Sequence, residues 1–174
     1  MGIYADIEIT FATMIRNLVK DEELMKLIYY DGTDPLSQSP VDNPKKVIYN
    51  GRDEEDEVKH RIYLVEKLPE VVNAKKTFII PTLEKTNAVS GAFYMDFTIE
   101  FNIATHISIK SLDDEGDRIL KIMDRIHSFY NRTLQDYALS QSQPLGSWKW
   151  NPSDKWRGRT MRYRFTSSNM DCGE

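Results

Sequence analysis

Between Phe93 and Ile109 the chain alternates with period two for 17 residues. The odd positions read Phe, Met, Phe, Ile, Phe, Ile, Thr, Ile, Ile and the even ones between them Tyr, Asp, Thr, Glu, Asn, Ala, His, Ser, with Lys110 continuing the polar set. Successive side chains of a strand point to opposite faces, so this segment predicts a strand with one face on a core and the other toward water or a partner. At roughly 3.3 Å per residue it would run about 55 Å if straight, which requires a bend, a bulge or a projecting hairpin. A second strand over 77–84 precedes it, and the turn residues at 87–91 join the two as a long antiparallel hairpin.

The flanking segments complete an α+β pattern. Ile7, Phe11, Met14, Ile15, Leu18 and Val19 follow the rhythm of one buried helix face over 7–20, and Leu24, Leu27 and Ile28 share a face of a short helix over 22–29. Ile119, Ile122, Met123, Ile126, Phe129, Tyr130 and Leu134 make the stripe of a main helix, capped by Asp113 or Ser111 and preceded by acids that suit its dipole. Arg61 to Glu66 reads as another strand, and Met161, Tyr163 and Phe165 alternate with Arg162 and Arg164 as a last one. The expectation is a single α+β domain over 1–174, with a mostly antiparallel sheet carrying a long hairpin and helices packed on one face. Two stretches interrupt it. Residues 32–59 hold Pro35, Pro40 and Pro44 and read as a loop or arm insertion, with Val47, Ile48 and Tyr49 as a short strand inside it; 140–160 reads as an irregular Trp-bearing basic segment before the last strand.

Chemistry is hard to find. The closest pair among the eight glycines is twelve residues apart, which excludes a P-loop or a dinucleotide fingerprint. His60, His106 and His127 match no metal spacing and read as surface or hydrogen-bonded residues. The run Asp113-Asp114-Glu115-Gly116-Asp117 lacks the spacing of a calcium loop and is explained as helix-start acids. Cys172 alone makes neither a disulfide framework nor a cysteine-rich zinc site. The expectation is a protein with no catalytic residues, no metal and no cofactor. No signal-peptide pattern opens the chain and no apolar run approaches a membrane span, so an intracellular protein without a membrane partner is expected.

Charge is unevenly spread. Between Leu145 and Asn169 six cations (Lys149, Lys155, Arg157, Arg159, Arg162, Arg164) stand against Asp154, and elsewhere 17 cations stand against 26 acids, so the net −4 divides into +5 and −9. Trp148, Trp150 and Trp156 interleave with the cations, a composition suited either to a protein interface or to single-stranded nucleic acid, whose bases stack and whose phosphates pair. The acidic run Asp53, Glu54, Glu55, Asp56, Glu57 is its counterpart.

The amphipathic first helix over 7–20, the alternating strand, the Asp117-Arg118 to Asp124-Arg125-Ile126 helix, Trp156-Arg157-Gly158-Arg159 and the closing strand together resemble the tail-terminator (tail-completion, neck) proteins of long-tailed bacteriophages. The resemblance implies a non-enzymatic virion protein, assembled in the host cytoplasm. It implies a homo-oligomeric ring, hexameric by preference, that meets the tail tube and the head connector and lets DNA pass through its lumen. On that reading the acidic run 53–57 meets Trp148, Trp150, Trp156, Arg157, Arg159, Arg162 and Arg164 across a subunit contact. Asp96, Glu100 and Asn102, on the polar face of the strand, would line the lumen or face a partner, where acids repel phosphate. The alternative from another class is a single-stranded nucleic-acid binder using the C-terminal Trp, Arg and Lys patch.

Overall fold

The computed structural model describes residues 3–51, 59–64, 75–88, 94–131 and 142–168. Helices α1 (Ile3–Leu18) and α2 (Glu22–Tyr29) come first. The short strands β1 (Ile48–Tyr49) and β2 (Ile62–Tyr63) follow, then β3 (Thr77–Ala88) and β4 (Tyr94–His106). Helix α3 (Arg118–Asn131) and the strands β5 (Gln143–Trp150) and β6 (Trp156–Ser168) complete the fold. The six strands lie in the order β1-β2-β3-β4-β6-β5. Pairing is antiparallel from β3 to β5, and parallel only where the two-residue strands join. This is the α+β architecture with a mostly antiparallel sheet.

The alternation of β4 sets the layers. Phe97, Ile99, Phe101, Ile103 and Thr105 are buried, and β6 adds Met161, Tyr163 and Phe165 on the same face. Against this face pack Ile7, Met14, Ile15 and Leu18 of α1, Leu24, Leu27 and Ile28 of α2, and Ile119, Ile122, Ile126 and Tyr130 of α3, in one core. Each such side chain contributes about 1.5–3 kcal/mol by leaving water. Aromatic pairs fix the register: Phe97 stacks on its cross-strand partner Phe165 at 5.3 Å, and Phe101 on Tyr130 at 5.4 Å.

The long strand ends earlier than its alternation suggests. His106 accepts from the Ser108 amide at 3.3 Å, and Ile107–Ile109 form one 3-10 turn, so Ile107 is half exposed while Ile109 stays buried. The expected irregularity falls on β3, whose register shifts between Leu83 and Lys85. The main helix is capped by neither Asp113 nor Ser111. Asp117 Oδ1 accepts from the amides of Ile119 (2.9 Å) and Leu120 (3.4 Å), so the helix starts at Arg118. Leu134 lies outside the described residues.

The irregular reading of 140–160 needs correction. Gln143–Trp150 is a strand rather than a linker, and the last strand begins at Trp156, because the backbone of the segment pairs along β6 from Gln143↔Arg164 to Trp150↔Gly158. Of the 32–59 stretch, residues 36–40 are exposed, but Pro35 and Val47 are buried, and Ile48–Tyr49 pairs with β2 as the first edge of the sheet.

Two buried arginines tie the helices to the sheet. The last carbonyls of a helix lack intrahelical donors and sit at the negative end of its dipole. Arg118, wholly buried at the start of α3, donates to Leu27 O (2.8 Å), Tyr30 O (2.6 Å), Ile109 O (2.9 Å) and Gly32 O. Arg61, just before β2, donates to Ile28 O (2.9 Å) and Tyr29 O (3.2 Å) and pairs with Asp31 at 3.1 Å. At the other end of α2, Asp21 caps Leu24 N (2.8 Å) and pairs with Arg125 of α3 (2.6 Å).

Candidate assembly surface

Strand β5 is an edge, exposed along nearly its whole length. Because side chains alternate along it and along its partner β6, the contiguous Trp-basic segment is divided between the two sides of the sheet. Trp148 and Trp150 stand across from Thr160 and Gly158 on the face away from the helices; Lys149 stands across from Arg159 on the helix-bearing face. Arg157 shares the face of Arg159, while Arg162 and Arg164 share that of the tryptophans.

On the outer face the tryptophans are not equivalent. Trp156 is buried, its ring 5.0 Å from Phe78 and 5.7 Å from His106, and Trp150 is half buried beside Phe78 at 6.3 Å. They belong to a small second core with Tyr49, Tyr63, Ile80 and Ala104. Gly158 makes this packing possible: a Cβ there would meet Trp150 O at 2.5 Å and Ile103 O at 2.6 Å. Only Trp148 remains open, 46% exposed, with the Arg162 guanidinium 5.0 Å over its ring. Of the three tryptophans, Trp148 alone presents an open ring on this face.

The polar face of β4 is engaged across the sheet. Glu100 is buried and bonded to Arg162, and it accepts from Asn102 at 2.8 Å; Asn102 accepts in turn from Thr160 at 2.6 Å. Asp96 accepts from Thr166 at 2.7 Å. Glu100 thus has its charge matched by Arg162 within the sheet. Arg164 is exposed on this face.

On the helix-bearing face Lys149, Arg157 and Arg159 line an open cleft of about 140 Å³ with Lys110, Asp117, Leu120 and Asn151. Its one acid is committed, since Asp117 Oδ2 pairs with Lys110 at 2.7 Å while Oδ1 caps α3. Like charges directly opposite across a strand pair are destabilising, as are Lys149 and Arg159 here. Nothing in the local sequence marks Lys110 as a member of this cluster. It is brought in by the turn after β4, where Arg118 N bonds to Lys110 O at 3.0 Å. The acidic residues Asp53, Glu54, Glu55, Asp56 and Glu57 lie outside the described residues.

The histidines stand apart. His106 is held below the usual 6.5 by burial, then by Lys75 and Lys155 nearby, and its Nδ1 lies 2.8 Å from Ser108 Oγ. His127 Nδ1 lies 3.1 Å from the hydroxyl of Tyr163, whose ionisation burial pushes far up. His60 is buried with its ring 5.2 Å from that of Tyr49. Among the described residues, no three His, Cys, Asp or Glu side chains are grouped to hold a metal, and no helix is long and apolar enough to cross a membrane.

The fold and this hairpin define an α+β protein whose distinctive surface is a two-faced, cation-bearing sheet edge. The family model YomW matches residues 21–165, from the cap of α2 to the inward Phe165 of β6. The chain belongs to the YomW family, which is phage-related. No curated protein matches it.

Proposed function

We propose that the protein is a non-enzymatic component of a phage particle, a tail terminator at the head–tail junction that works as a homo-oligomeric ring. Membership of a phage-related family supports the setting. The observation that carries the ring is the unlikeness of the sheet's two edges. A head-to-tail ring joins two different surfaces of the same subunit and closes by rotation. Here one edge is β5, with eight exposed or half-exposed residues and a basic flank, and the other is β1, two residues long and continuing directly toward an acidic run. An isologous dimer would use one edge twice and leave the other idle.

Native mass spectrometry of the full chain tests the reading. A closed ring, with the hexamer as the expected species, supports it. A strict monomer at high protein concentration refutes it.

A further inference from the structure

Where α1 gives way to α2, the chain encloses a second cleft, of about 330 Å³, with an apolar floor and a charged lip. Val19 and Met25, both buried, form the floor, and Pro40, Val41 and Pro44 line it from the loop that follows α2. Arg16, Lys20 and Lys45 stand exposed at the lip. We infer that this cleft binds a small amphiphilic anion, a medium-chain carboxylate whose hydrocarbon tail fills the cleft and whose head meets the three cations. The inference stands apart from the ring reading and from the sheet edges.

The first support is the charge of the lip. Its one acid is Glu22, whose carboxylate pairs with Lys26 at 2.8 Å one turn along α2. Asp21, next in the chain to Lys20, is committed to Arg125 and to the Leu24 amide. Lys20 Nζ donates to the neutral Asn17 Oδ1 at 2.7 Å, and among the described residues no carboxylate pairs with Arg16, Lys20 or Lys45. A cleft with low-dielectric walls and one sign of charge at its mouth focuses the field, so it draws an anion and turns a cation away. The floor meanwhile rewards any apolar group that leaves water with the anion.

The second support is shape. The loop side is held before any ligand arrives: the Tyr30 hydroxyl donates to Ser39 O at 3.0 Å, Lys46 N donates to Asn43 O at 3.0 Å, and Val41 packs on the main core. Pro40 and Pro44 have their φ fixed by their rings. A site formed in advance loses little freedom on binding. Its volume lies at the small end of ligand-binding clefts, which run from about 300 to about 1,000 Å³, and a close-packed chain of about eight to ten carbons fills it. An amphipathic partner helix sets its anchors at i, i+3, i+4 and i+7 along a groove, which is more than one compact cleft receives.

Calorimetric titration of the full chain with decanoate, kept below the concentration at which it forms micelles, tests the site. One molecule is expected to bind per chain, with the Met25 methyl resonance moving in step; Met25→Leu identifies that resonance by removing it. Decanol, the same tail without the charge, is expected to bind about 10-fold more weakly, and decyltrimethylammonium more weakly still. Arg16→Glu with Lys45→Glu, at two exposed positions, should weaken decanoate by about 30-fold and reverse the order of the two charged ligands, with circular dichroism unchanged. No saturable binding of decanoate, or equal affinity for decanoate and decanol, overturns the inference. So does binding that leaves the Met25 methyl unmoved or survives the double reversal. Retention on vesicles of anionic phospholipid that the double variant loses, without binding of free decanoate, overturns it in favour of a membrane surface.

Discussion

Replacing Arg118 by alanine removes the joint between α2 and α3, and its cost follows from what the guanidinium leaves behind. Four carbonyls lose a donor. Those of Tyr30 and Gly32 are part-buried and recover a partner from water, but those bonded at Leu27 and Ile109 are buried and stay unpaired. A buried acceptor left without a donor costs about 1–3 kcal/mol, so the pair costs about 2–6 kcal/mol. Some of this is returned, because the variant no longer buries a charge: desolvation pulls the Arg118 guanidinium down from its ordinary range, although Asp31 favours the charged form. The expected net loss is about 3 kcal/mol, or roughly 9 °C in Tm for a chain of this size. Urea unfolding followed by circular dichroism at pH 7 measures it, with m unchanged. Arg118→Lys, which keeps the charge but not the planar fork, is expected to lose about half as much. A loss below about 1 kcal/mol for the alanine variant would show that desolvation cancels the clamp, and would refute the reasoning.

Gly158→Ala drives a methyl group into Trp150 O and Ile103 O, and should cost about 2–3 kcal/mol in urea unfolding while shifting Trp150 fluorescence; a silent substitution would refute the close approach of β5 and β4 to Gly158. The Asp31 carboxyl titrates above the usual 3.8 because burial outweighs the pull of Arg61, Arg118 and Lys76. A raised folded-state pKa means that Asp31's favourable contribution is fully present below the unfolded pKa and is lost as pH rises through the folded one. Asp31→Asn should therefore flatten that part of the stability-versus-pH curve at and above the ordinary aspartate range, and an unchanged curve would contradict the assignment.

The parts of the fold legible in the sequence are those where burial is one-sided. β4 announces itself because every second side chain enters the core, and α2 is bounded correctly at Glu22 and Tyr29 because an acid cap precedes it and Asp31-Gly32 follows. β5 is invisible to the same reasoning: a strand exposed on both faces has no burial to alternate, and Gln, Pro, Gly and Ser read as linker. That single omission hid the division of the Trp-basic segment, since residues contiguous in sequence are read as one patch only until they are known to form a strand. Arg61, Arg118 and Lys76 look like surface cations along the chain, and become interior ones only because carbonyls and a tyrosine from distant elements converge on them.

An open strand edge is a template for endless growth. β5 carries the means to prevent it in its first half. Pro144 has no amide to offer an incoming strand, and the register shift between Pro144 and Gly146, where φ is +122°, breaks the flat repeat that cross-β stacking needs. A fibril is thereby denied its seed, while the second half of the edge, from Ser147 to Trp150, keeps its regular pairing with β6.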